Sequence, residues 1–150
     1  MISVEEARKL IGDHISPLKP VLKPLQDAAE HILSEDINAA FDIPAFRQSS
    51  MDGYAIIFDD VHEELNLIGE MAAGTTQKLT ISKGQTSRIF TGAPLPEGAD
   101  TVVMQEKTSR KDDRIMFDDE KLVRGANVRQ IGSEIRIGEL AMAKGNLLSP

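Results

Sequence analysis

The chain of 150 residues contains no cysteine and no tryptophan. Without cysteine there can be no disulfide framework, no thiolate metal site and no cysteine nucleophile, and the expected compartment is the cytoplasm. Aromatic side chains are scarce, with five Phe and one Tyr, so a core must be built from Ile, Leu, Val, Ala and Met. The three histidines, His14, His31 and His62, stand apart with no i, i+4 pair, which removes any zinc constellation of the usual spacing. There is no G-x-G-x-x-G, no G-x-x-x-x-G-K-[ST] and no G-x-S-x-G, so nucleotide-binding folds and hydrolases lose their customary signatures. Positive charge is also short. Seventeen Lys and Arg against 24 Asp and Glu leave a net charge of -7, which opposes the counterion release that drives nucleic-acid binding. Nucleic acid is therefore excluded as the main partner, although backbone N–H groups and one or two Arg can still form a local anion site. No run approaches the roughly 20 apolar residues that span a bilayer, and the N-terminus lacks the basic start and apolar run of a signal peptide. The chain is expected to be soluble, without a membrane partner.

What is present is an ordinary globular composition, 41% hydrophobic and 27% charged. Ser3 and Glu6 have capping-box spacing, and Val4, Ala7, Ile11 and Ile15 recur at helical intervals, which predicts an amphipathic helix over 4–15 stopped by Ser16-Pro17. Pro17, Pro20 and Pro24 predict an extended connector. Asp27 and Glu30 repeat the capping logic over a short helical turn, and the alternation from Leu33 to Phe41 predicts a half-buried strand interrupted by Glu35. Beyond Pro44, short apolar runs punctuated by turn dipeptides predict strands at 53–57, 65–71, 78–81, 101–106, 114–117, 128–131 and 140–143, with 107–113 a solvated connection. This texture favours a small barrel or sandwich over βαβ units. The chain stops at Gly145-Asn146-Leu147-Leu148-Ser149-Pro150 directly after a strand-like stretch, as a longer protein would if cut there.

Two Gly-rich polar loops carry the candidate chemistry. In Ser49-Ser50-Met51-Asp52-Gly53-Tyr54-Ala55, Asp52 stands at a turn before a strand, where its carboxylate can serve a hard cation such as Mg²⁺ or act as a base. Asp-Gly is equally a common turn dipeptide, and a purely structural role competes. In Arg88–Asp100, Thr91 followed by Gly92 can turn a hydroxyl and a backbone N–H toward one ligand, against the alternative of a rigid Pro/Gly connector. Arg129 can bind an oxyanion bidentately and Glu134 can assist a metal, although such an Arg is more often a surface ion-pair residue.

Together these loops resemble one family. Ile43-Pro44-Ala45-Phe46-Arg47-Gln48-Ser49-Ser50-Met51-Asp52-Gly53-Tyr54-Ala55 resembles P-x-F-x-x-S-x-M-D-G-Y-A, and the stretch from Arg88 to Glu106 resembles R-I-x-T-G-A-x-x-P-x-G-A-D-x-V-V-x-x-E. Gly69–Gly74 and Gly125–Arg129 resemble two further segments in the same order. The chain is thus similar to the N-terminal part of the molybdopterin molybdotransferases, the family of MoeA and the gephyrin E domain.

The resemblance implies an enzyme that inserts molybdate into adenylated molybdopterin with release of AMP and a requirement for Mg²⁺. It implies a homodimer in the full-length protein, with the cleft between the pterin-binding domain of one subunit and the β-rich lid of the other. Carried over by residue, Asp52 and Thr91 are the catalytic positions, and Ser49, Gly53, Gly92 and Arg129 the substrate-binding ones. Asp52 and Glu134 are the candidate Mg²⁺ ligands. One departure is Gly132-Ser133-Glu134, where the family often has G-E-D, so that one acid is replaced by a hydroxyl and the other lengthened. A second is the absence of the pterin-binding domain, which predicts that this chain alone is inactive.

The expected fold is mainly β with some α: a discontinuous scaffold from residues 1–42 and 137–150, carrying the N-terminal helix, with residues 43–136 inserted as a small β-barrel-like lid. The competing reading is a non-catalytic β scaffold or interaction module in which Asp52-Gly53 and Thr91-Gly92 serve only as turns.

Overall fold

A computed structural model describes residues 2–16 and 18–149. The fold is mostly β with one α-helix, and the chain divides into two compact units, the residues up to Ile37 with those from Met142 onward, and Asn38–Ala141. The chain thus leaves its first unit and returns to it, crossing at 37/38 and 141/142 where the sequence placed the boundaries at 42/43 and 136/137.

In the first unit, helix α1 spans Val4–His14. Its first turn closes as a capping box: the Ser3 hydroxyl accepts from the Glu6 N–H at 3.1 Å and the Glu6 carboxylate accepts from the Ser3 N–H at 2.8 Å. The helix ends where Ile15 turns extended; Pro17, the expected stop, lies outside the described residues. None of the α1 residues is buried, so its apolar stripe of Val4, Leu10 and Ile11 faces solvent. The short helix expected after Asp27 does not form. Leu25–Asp27 makes a single 3-10 turn and Glu30 adopts φ 64, a left-handed conformation that ends helical propagation. The half-buried strand expected from Leu33 is likewise reduced to an exposed two-residue strand, β1 (Ile37–Asn38). Residues 30–33 instead run antiparallel to 145–148, with Leu33 N–H to Asn146 O at 2.9 Å and Leu148 N–H to His31 O at 2.8 Å.

The second unit holds β2 (Gln48–Ser49), β3 (Gly53–Ile56), β4 (Leu65–Met71), β5 (Gln85–Ile89), β6 (Thr101–Met104), β7 (Thr108–Lys111), β8 (Arg114–Phe117) and β9 (Val128–Arg129), followed at its edge by β10 (Leu140–Met142). Six of these form a curled half-barrel in the order β6-β3-β5-β4-β8-β7, and β2 pairs with β9 beside it. All neighbours are antiparallel except β4 and β5, whose parallel pairing requires the long crossover through residues 72–84. Asp60, buried before β4, secures the end of that crossover by accepting the Gly84 N–H at 2.9 Å. Alternation across the sheet makes two apolar clusters. Ala55, Met71, Ile81, Ile89 and Val102 belong to one, and Ile56, Val61, Leu65 and Val103 to the other.

Several assignments differ from the sequence expectation: β2 was not expected, the strand expected over 101–106 ends at Met104 where Gln105–Lys107 makes a 3-10 turn, and that expected over 128–131 is only Val128–Arg129. Residues 78–81 form no strand, only an isolated bridge from Thr80 to Glu97, because Ile81 is buried by loop packing rather than by a ladder. Residues 108–111, expected as a solvated connection, form the edge strand β7; its Ser109, Arg110 and Lys111 are exposed, a polar edge that discourages pairing with other chains. The central strand β5 was not visible at all, since Gln85-Thr86-Ser87-Arg88-Ile89 carries little apolar alternation. It is nonetheless buried at Thr86, Ser87 and Ile89. Thr86 donates its hydroxyl to Ala55 O at 2.9 Å, whereas the buried Ser87 Oγ has no hydrogen-bond partner among the described residues.

That contrast predicts opposite responses to two similar substitutions. Ser87→Ala removes an unsatisfied hydroxyl and is expected to leave stability unchanged or raise it by up to about 1 kcal/mol, while Thr86→Val removes a buried hydrogen bond to the Ala55 carbonyl and costs about 1 kcal/mol. Urea unfolding midpoints at unchanged slope would resolve the difference.

Candidate functional site

Strand direction assembles the site. β3 begins where the antiparallel β5 ends, with Gly53 opposite Ile89, and β6 ends at the same rim, with Gly53 opposite Met104. The residue before β3, the segment following β5 and the residue after β6 therefore emerge together. These are Asp52, Thr91 and Gln105, which belong to three loops far apart in sequence.

Asp52 and Thr91 meet directly. The Thr91 backbone N–H and its hydroxyl both donate to Asp52 Oδ1, each at 2.8 Å, across 39 residues of chain. The main chain of Asp52 is also held, its carbonyl accepting the Gln105 N–H at 3.1 Å. The two Thr91 bonds, the backbone one foremost, lower the Asp52 pKa from its ordinary 3.8; desolvation opposes this, and the Arg88 charge adds to it. A depressed carboxylate pKa means that these bonds stabilise the fold above the unfolded-state value and are lost as pH falls through the folded one. At neutral pH the group is an oriented carboxylate. Its second oxygen, Oδ2, receives no hydrogen bond from the described residues.

The other candidate residues are distributed differently. Ser49 is 1% exposed, and its hydroxyl is spent on its own turn, donating to Met51 O at 2.5 Å and accepting from Met51 N–H at 3.2 Å. Its main chain clasps the Thr91 loop, since Gly92 N–H donates to Ser49 O at 2.8 Å and Ser49 N–H to Ala93 O at 3.0 Å. Gly92 holds φ 81, which explains why glycine follows Thr91 there. Gly53 lies so close to β6 that a Cβ would stand 1.9 Å from Val103 O. Arg129 and Glu134 pair with each other at 3.1 Å, both about half exposed, so the expected anion ligand and the expected metal ligand engage one another. Among the described residues no group of three His, Asp or Glu side chains could enclose a metal.

Arg88, which the sequence placed only at the start of a loop pattern, belongs to the rim as well. It donates to Gly53 O at 3.2 Å and to Gln105 Oε1 at 2.5 Å, and its guanidinium lies 5.2 Å from the Tyr54 ring centre and 5.0 Å from that of Phe90. Its opening position in the Arg88–Glu106 segment was the one available signal. The same residue lines a shallow cleft of about 400 Å³ on the sheet face, with Tyr54, Leu67, Glu70, Arg110 and Asp113.

Residues 2–150 match the family described as the MoeA N-terminal region, domains I and II. The molybdopterin molybdenumtransferase of Haemophilus influenzae is 33% identical over 153 residues, covering 100% of this chain and 38% of that protein. That of Staphylococcus epidermidis is 36% identical over 151 residues, covering 96% and 36%. The crystal structure of the molybdopterin biosynthesis moeA protein from Pyrococcus horikoshii OT3 superposes with a TM-score of 0.88 at 34% identity, over 97% of this chain and 40% of that one. The chain spans less than half the length of these relatives.

Proposed function

The chain belongs to the MoeA N-terminal family, and from that premise we propose that it forms the lid side of a cleft in which molybdate is inserted into adenylated molybdopterin with release of AMP. The observation that carries this reading is the convergence of both Thr91 donors on Asp52 Oδ1 at 2.8 Å, which leaves Oδ2 without a bond from the described residues. A carboxylate held in one orientation and kept ionised is suited to receive a cation or a water proton.

The donor set fits Mg²⁺ as a shared ligand rather than as an enclosed site. Mg²⁺ commonly takes one or two carboxylates and completes its shell with water and substrate phosphate. Asp52 would hold it through Oδ2; Glu134, tied to Arg129, is a poorer ligand in this arrangement. When bound, the ion supplies charge neutralisation at the adenylate phosphate. Thr91 spends both of its donors on Asp52, so its part is to orient the carboxylate, with its hydroxyl oxygen still able to accept from substrate. Ser49, Gly53 and Gly92 shape the loops, and Arg129 serves the rim only if Glu134 releases it. The remaining groups come from a pterin-binding domain, in the partner subunit of a cytoplasmic homodimer, so the chain alone is inactive.

The test is AMP release from adenylated molybdopterin with Mg²⁺ and molybdate, using this chain alone and mixed with a separately expressed pterin-binding domain. Activity is expected only in the mixture, absent with Asp52→Ala and reduced about tenfold with Thr91→Val, roughly the worth of one charge-assisted bond. A mixture that forms the complex and releases no AMP would instead establish a non-catalytic scaffold.

A further inference from the structure

Tracing the partners of Asp52 outward gives a closed ring of contacts with one residue at its centre. The Asp52 carboxylate accepts from Thr91, the neighbour of Phe90; the Phe90 ring lies 5.0 Å from the Arg88 guanidinium; Arg88 donates to Gln105 Oε1; and the Gln105 N–H donates to the Asp52 carbonyl. A second arm of the same guanidinium holds the carbonyl of Gly53, the residue that follows Asp52. Arg88 thus touches all three chain segments whose ends make the rim.

We propose that Arg88 is the positioning residue of this site, a clamp across the ends of β3, β5 and β6 that holds Asp52 within reach of both Thr91 donors. Only arginine suits the place. Its fork reaches two acceptors at once, and its flat cation faces the rings of Tyr54 and Phe90, whereas lysine supplies a single point charge. The Arg88 charge also contributes to the lowered Asp52 pKa, but behind the two Thr91 bonds that the clamp preserves. The significance of the clamp rests on Asp52 being the functional carboxylate; its existence does not, and the following readouts need no catalytic activity.

The experiment compares the parent chain with Arg88→Lys and Arg88→Met by hydrogen exchange of the Thr91 amide at neutral pH, with the amide of the buried Ile115, in β8, as the reference for opening of the whole sheet. If Arg88 positions, Arg88→Lys, which retains the charge, behaves like Arg88→Met: Thr91 exchange accelerates by about tenfold relative to Ile115, as loss of one hydrogen bond allows. If Arg88→Lys keeps the parent ratio while Arg88→Met does not, the residue acts by charge alone and the clamp is overturned. It is overturned too if neither variant changes the ratio, or if Thr91 and Ile115 accelerate equally. Should the Arg88 variants fail to fold, Gln105→Ala decides. Its exposed side chain is one end of the clamp, and it must raise the ratio in the same direction by a smaller amount or the proposal fails.

Discussion

Gly53→Ala is expected to destabilise the chain by about 3 kcal/mol or more, at the upper end of overpacking substitutions. The added Cβ would stand 1.9 Å from the carbonyl oxygen and 2.9 Å from the carbonyl carbon of Val103, both backbone atoms that cannot swing aside as a side chain would. Relief requires β3 and β6 to separate, which breaks the register of Gly53 with Met104 and Tyr54 with Val103 and exposes Val103 from its cluster. The rim also loses its shape, because the Gln105 N–H that holds the Asp52 carbonyl follows directly from β6. Gly92→Ala is the informative control. There the nearest atom to a Cβ is Ala73 Cβ at 3.9 Å, so the penalty is that of φ 81 alone, about 1 to 2 kcal/mol. Urea unfolding of both variants checks the ordering. A Gly53→Ala midpoint equal to or above that of Gly92→Ala would mean that the two strands part easily.

Asp100→Ala is expected to cost about 2 to 3 kcal/mol, mainly through groups left without an acceptor rather than through a lost ion pair. Asp100 Oδ1 accepts the Phe58 N–H and the Thr101 hydroxyl, each at 2.8 Å, and its Oδ2 pairs with Arg124, which also pairs with Asp59. The chain continues inward, since the Thr101 hydroxyl accepts the Gly125 N–H at 3.0 Å and Asn127 donates to Val102 O at 2.9 Å, so the loop before β9 is fastened along the free edge of β6. Desolvation works against the Arg124 charge, but the bonds and attraction of Asp100 and Asp59 outweigh it and raise its pKa. The Arg124 side chain is 51% exposed, so solvent screens its ion pairs, and Arg124→Ala should cost clearly less than Asp100→Ala. Asp100→Asn keeps one acceptor oxygen for Phe58 and is expected to fall between them. Thermal melts of the three variants give the ordering; an Arg124→Ala loss as large as that of Asp100→Ala would place the energy in the ion pairs instead.

Much of the fold was legible where local chemistry decides it. The Ser3–Glu6 capping box set the start of α1 because both partners lie within one helical turn. The run Leu65–Met71 was readable from its apolar content, and its bounds matched, although the register shift between Leu67 and Glu70 was not readable. By contrast, β5 is polar in sequence yet central in the sheet. Its burial is met by hydrogen bonds such as Thr86 to Ala55 O and by the fork of Arg88, and neither leaves a hydrophobic period to detect. The failed helix after Asp27 shows the opposite error. Asp27 and Glu30 make no reciprocal cap bonds among the described residues, unlike Ser3 and Glu6 of α1, and Glu30 turned left-handed.

By itself the sequence determined the helix start, the glycine turns and the ordered motifs that mark family membership, because each depends on residues adjacent or a few places apart. It also named Asp52 and Thr91 as candidates. Only the tertiary structure decided that these two bond to one another, that Arg129 engages Glu134, and that Arg88 and Gln105 close the rim. Those contacts arise from strand order and register, and register is set by the packing of whole faces, which no short stretch of sequence contains.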